Sequence, residues 1–126
     1  MRDEKGQATV EMALCVTLLL LLVFGLIDFA RIFHAQLTLD HAGREGARAA
    51  SVGGTDQQIQ DVISQASGSL GSTNLTVSIT PTKTERRRGT YVTVDLAYSI
   101  PLTTPLLTPF LPNPYSFSKK TTMRME

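Results

Sequence analysis

The pattern of apolar and polar positions divides this 126-residue chain into three regimes. From Met12 to Ile27, sixteen residues pass without a charge, among them Leu18-Leu19-Leu20-Leu21-Leu22. As a helix that run is about 24 Å long at 1.5 Å per residue. A bilayer core of about 30 Å needs roughly twenty residues, a length reached by extending back to Gln7 and so including Glu11. Leu, Ala, Arg, Glu and Gln continue through Ala50, and no Pro occurs before Pro81. The pattern predicts one helix from about Gln7 to Ser51, about 67 Å long, which spans a membrane and projects beyond it. Asp28 and Arg31 (i,i+3) and Asp40 and Arg44 (i,i+4) are spaced to support its exposed surface, and Gly53-Gly54 reads as its stop.

The second regime is short. Over Thr55–Ala66, Ile59, Val62, Ile63 and Ala66 fall on one face of an amphipathic helix, with Thr55 or Asp56 placed to cap it. After the Gly/Ser loop Ser67–Thr73 the period changes to two. Leu75, Val77 and Ile79 alternate with polar residues, as do Val92, Val94, Leu96, Tyr98 and Ile100. A third run, Tyr115–Met125, puts Tyr115, Phe117, Met123 and Met125 in phase, with Lys119 breaking the pattern. Three strands with one apolar face need a cover, and the outer half of the long helix supplies it. The fold class expected is α+β: a membrane-spanning and projecting helix over residues 7–52, and a small extracytoplasmic domain over 53–126. That domain holds a short helix and a three-stranded antiparallel sheet packed on the long helix.

Composition narrows what such a chain does. Twelve Lys and Arg against eleven Asp and Glu give a net charge of +1, which lacks the basic footprint of a nucleic-acid binder. The single Cys, Cys15, excludes an intramolecular disulfide and reads as a small apolar residue in the membrane helix. No Ser-His-Asp set, phosphate loop or metal-ligand spacing occurs. His34 and His41 share a helix face with too few ligands nearby and read as solvent-facing. No enzyme activity and no cofactor are expected.

Three features remain as interaction candidates. Ala35, Ala42, Gly46 and Ala49 form a small-residue stripe that permits close approach, either of the chain's own sheet or of another subunit. Arg86-Arg87-Arg88, between the first two strands, is expected to be solvated charge rather than a phosphate grip. The loop Pro101–Pro114 contains five Pro, which deny it regular structure, and carries Leu102, Leu106, Leu107, Phe110 and Leu111. So many apolar residues in a loop pack inward or meet a partner; Leu106, Leu107, Phe110 and Leu111 are the candidate partner contact.

The N-terminal segment admits several readings. A removable secretory signal expects a basic start and a small-residue cleavage site, whereas Met1–Lys5 is charge-balanced and Phe29-Ala30-Arg31 is a poor site. A lipoprotein signal is excluded by Leu14 before Cys15. A plain signal anchor and a pilin-type signal remain. The string Lys5-Gly6-Gln7-Ala8-Thr9-Val10-Glu11 before an apolar helix resembles a type IV prepilin signal, in which a prepilin peptidase cuts after Gly and a Glu stands fifth in the mature chain. Cutting between Gly6 and Gln7 makes Glu11 the fifth residue.

Further on, Arg44-Glu45-Gly46-Ala47-Arg48 resembles a motif of the TadE-like proteins, minor pseudopilins of the tight adherence (Flp) pilus system. The closing Thr122–Glu126 also resembles that family's last strand. Met12 stands where the family commonly has an aromatic residue, and the leader is short. The resemblance implies a pilin-like fold, a leader over residues 1–6, and a role in starting or priming pilus assembly. It also implies Glu11 as the assembly residue, with prepilin peptidase, other pilins or pseudopilins and the pilus assembly platform as partners. The implied location is the cytoplasmic (inner) membrane, single-pass, with the N-terminus cytoplasmic. The alternative is a permanently anchored extracytoplasmic interaction protein with no pilus role.

Overall fold

The computed structural model describes residues 2–71, 73–105 and 107–126. One uninterrupted helix, α1 (Arg2–Ser51), runs for 50 residues, about 75 Å. It is followed by α2 (Asp56–Ala66), a 3₁₀ turn at Gly68–Leu70, and strands β1 (Leu75–Thr80), β2 (Tyr91–Ile100) and β3 (Tyr115–Arg124). The strands form one antiparallel sheet in the order β1-β2-β3. The fold is α+β as expected, and α1 starts earlier than Gln7.

α1 ends where its carbonyls find other donors. The Gly53 amide bonds Ala50 O and the Gly54 amide bonds Ala49 O, both at 3.0 Å, with Gly53 at φ +87°. This is a Schellman stop, and the positive φ is why a Gly stands there. α2 starts on a reciprocal cap: Thr55 Oγ1 accepts from the Gln58 amide at 3.2 Å and the Thr55 amide donates to Gln58 Oε1 at 2.9 Å.

The core lies between the outer half of α1, α2 and one face of the sheet. Leu39, Ala42, Ala47 and Ala50 of α1 meet Ile59 and Ile63 of α2 and Val92, Val94 and Leu96 of β2. A second cluster nearer the membrane run joins Ile32 and Ala35 to Ile100 and Leu102. Ile32, Ala35, Leu39, Ala42 and Gly46 recur every three or four residues, the spacing of one helix face.

Glycine on this face sets how closely the layers approach. A Cβ built on Gly46 would stand 2.6 Å from Ile63 Cγ1, and one on Gly43 would stand 2.7 Å from Thr121 Oγ1. Helix propensity favours Ala over Gly by about 1 kcal/mol, whereas overpacking a core costs about 1–3 kcal/mol. Ile63 is wholly buried and β-branched, so it cannot swing aside. Gly46→Ala is therefore expected to destabilise the head by about 1 kcal/mol net, read as a lower denaturation midpoint in detergent; an unchanged or raised midpoint would show that α2 yields.

Candidate functional site: the apolar helix and the loop that closes on it

Among the described residues, one helix, α1, is long and apolar enough to cross a membrane. Its first half stands clear of the head domain: from Asp3 to Leu20 every residue is exposed. A surface of exposed Val, Leu, Met and Phe side chains is stable only in an apolar medium, and single-pass membrane anchoring follows from it. Gly6, Gln7, Val10, Glu11 and Leu14 share one stretch of this outer surface. Gln7 and Glu11, four apart, lie on the same helix face.

Burial begins at Asp28. This residue is 1% exposed although it closes an apolar run. Its Oδ2 accepts from the backbone amides of Thr103 at 3.1 Å and Thr104 at 2.7 Å, in the Pro-rich loop. Arg31 Nη1 reaches Asp28 Oδ1 at 3.4 Å and also donates to Thr103 Oγ1 at 2.9 Å. The expected Asp28–Arg31 pair is thus formed, and the pair also fastens the loop to the helix. The Leu102 amide donates to Asn113 Oδ1 at 3.1 Å and holds the two ends of the loop together.

The loop's apolar residues divide between two surroundings. Leu102 is buried, and Leu107 and Leu111 pack half-buried on the cluster around Ile32 and Ala35. Phe110 is 81% exposed. Leu106 lies outside the described residues. Between loop and helix is a cavity of about 200 Å³ lined by Phe29, Ile32, Phe33, Gln36, Leu111 and Tyr115.

The stripe and the Arg44–Arg48 segment sit higher on α1. Ala35, Ala42 and Gly46 are buried inside the chain's own fold, and Ala49 is half-buried against it. Gly46 and Ala47 point into the core, while Arg44 and Arg48 are exposed and Glu45 is half-buried. Arg44 pairs with Asp40. Lys119 Nζ joins that pair at 3.4 Å from Asp40 Oδ1, which accounts for the Lys that broke the third strand's apolar phase. The Arg44 guanidinium, with Lys119 beyond it, holds the Asp40 carboxyl below its ordinary value of 3.8.

At the far tip of the head, the expectation of three solvated Arg needs one correction. Arg87 and Arg88 are exposed, but the Arg86 side chain is 3% exposed, donating to Pro81 O at 2.9 Å and pairing with Asp56 at the start of α2. Neither that ion pair nor the Asp28 clamp has a local signature in sequence. The nearest hint to the latter is a carboxylate directly after an apolar run, where an unmatched charge is costly.

Comparison with known proteins places the N-terminal part of this architecture. The family model of the TadE-like proteins matches residues 6–48, about a third of the chain. The matched segment begins at Gly6, contains Glu11 and the whole apolar run, and closes on Arg48. That segment is similar to the TadE-like proteins. No curated protein and no solved structure matches the chain.

Proposed function

We propose that this chain is a minor pseudopilin of a tight adherence pilus, cut by a prepilin peptidase between Gly6 and Gln7 and acting in the initiation of pilus assembly. The observation that carries the reading is the coincidence, inside the segment similar to the TadE-like proteins, of Gly6, a carboxylate five residues on, and an apolar helix exposed at every residue up to Leu20.

In this reading the peptidase acts on the cytoplasmic side while the apolar helix holds the head domain outside. Cutting creates a new amine at Gln7. Glu11, on the apolar surface one turn away, neutralises the corresponding amine of a neighbouring subunit. A lone carboxylate in a medium of low dielectric is costly, so the paired arrangement favours one assembly register. The other partners are pilins or pseudopilins and the assembly platform.

The intact mass of membrane-extracted protein, made with and without its cognate prepilin peptidase, tests the first step. The expected result is a peptidase-dependent loss of Met1–Gly6. An uncut chain in both preparations would instead support a permanently anchored interaction protein.

A further inference from the structure

The apolar surface of α1 does not stop where its uncharged run stops. Met12–Ile27 covers only about 24 Å, short of the roughly 30 Å of a bilayer core. The charge that ends the run, Asp28, is turned into the fold and held by two loop amides. On the outside of the helix, Phe29, Phe33 and Leu37 follow at intervals of four and are 65%, 55% and 57% exposed. Exposed large apolar side chains thus run from Val10 to Leu37, about 42 Å of helix, against about 40–45 Å for a bilayer with its headgroup layers.

Because the apolar surface continues past Asp28, the span is counted from Glu11 at its inner edge and not from Gln7. Twenty residues from Glu11 end at Ala30, next to Arg31, whose guanidinium, on a long apolar stem, suits the edge of the hydrocarbon. The next turn, Ile32 to Gln36, falls in the headgroup layer. Ile32, Phe33 and Gln36 of that turn, with Phe29, form one wall of the cavity whose other wall is Leu111 and Tyr115. Phe110 stands beside Leu111 in the chain, exposed.

We propose that the Pro-rich end of the head domain is a lipid-contact surface. The loop fastened by Asp28 lies in the outer headgroup layer, Phe29, Phe33 and Phe110 face the acyl-chain boundary, and the cavity between Phe33 and Leu111 is filled by lipid. Continuity with the membrane segment singles out this occupant over a second protein: α1 is one helix without a break, so the depth of its apolar run fixes the depth of the cavity. Asp28 and Arg31 neutralise each other, so contact is apolar and independent of lipid charge. The proposal rests on membrane anchoring of α1 and not on the pilus role.

The chain has no Trp, so single introduced Trp residues report without background. The experiment uses the full chain in phosphatidylcholine bilayers containing lipids brominated near the headgroup or deep in the acyl chain, with Leu19→Trp, Phe33→Trp, Phe110→Trp and Val52→Trp made one at a time. Leu19→Trp, quenched by deep bromine, first establishes that the span is inserted. The Phe33→Trp and Phe110→Trp chains are expected to emit to the blue and to be quenched several-fold more strongly by shallow bromine than Val52→Trp, altered at an exposed position of the head. Part-replacement by phosphatidylglycerol is expected to change neither. Water-like, unquenched emission from Phe110→Trp, with Leu19→Trp reporting an inserted span, would overturn the proposal. So would blue emission from Phe110→Trp that resists bromine and rises with the protein-to-lipid ratio, because the surface would then be covered by a second copy.

Discussion

Asp28→Ala is expected to release the Pro-rich loop from α1 while leaving the helix and the sheet folded. The substitution removes the carboxylate oxygen that accepts from the amides of Thr103 and Thr104, one of which belongs to a residue 2% exposed. Leaving a buried donor unsatisfied costs about 1–3 kcal/mol, a cost that falls on the Thr104 amide, because Thr103 is exposed and its amide can turn to water. Against that, the apolar contacts of Leu102, Leu107 and Leu111 would hold the loop only loosely, because two of these three side chains are half-buried. Asp28→Asn separates the two contributions. Its carbonyl oxygen can still accept from both amides, but the charge that strengthens those bonds and attracts Arg31 is gone, a loss of about 1 kcal/mol. Amide hydrogen exchange of the full chain in lipid nanodiscs reads the result at Thr103 and Thr104. Strong acceleration is expected for Ala and modest acceleration for Asn. Protection in Asp28→Ala equal to the unaltered chain would mean that packing alone docks the loop.

The same residue marks how far the sequence can be read. Asp28 is legible as the end of an apolar run and as a partner of Arg31, because both follow from local spacing. Its amide donors lie 75 and 76 residues away, in a loop with no periodicity, and no local pattern joins them. Lys119 and Arg86 are similar cases: each looks like a break or a solvated charge along its own strand or turn. Each is accounted for by a carboxylate on another element, Asp40 or Asp56. By contrast α1, α2 and the three strands follow from period and capping, and their residue ranges differ from expectation chiefly at the first residues of α1. The small-residue stripe lies between these cases. Its spacing requires a close neighbour but does not say which; the neighbours of Gly46 are Ile63 of the chain's own α2 and Val94 of its β2. That face is therefore occupied by the chain's own fold, whereas α1 from Asp3 to Leu20 is exposed.

On the reading proposed for assembly, Glu11→Ala is expected to insert, to be cut between Gly6 and Gln7, and to fold its head domain as the unaltered chain does, yet to fail in pilus assembly. Position 11 is exposed on α1, seventeen residues before Asp28, where burial begins, so the head should fold without it. The effect falls on the neighbouring subunit, whose new amine would lose its counter-charge inside an apolar bundle. Breaking a buried ion pair by removing one partner costs about 3–5 kcal/mol, and each 1.4 kcal/mol is a tenfold change in equilibrium. Incorporation should therefore fall by roughly 10²- to 4 × 10³-fold, enough to abolish visible pili. Glu11→Asp keeps the charge on a shorter stem and is expected to restore part of the loss, whereas Glu11→Gln, nearly the same shape without the charge, should resemble Ala. That order distinguishes charge pairing from mere packing, for which Gln would rescue better than Asp. Normal piliation by Glu11→Ala, with the protein cut and present at ordinary levels, would remove the carboxylate from the assembly mechanism.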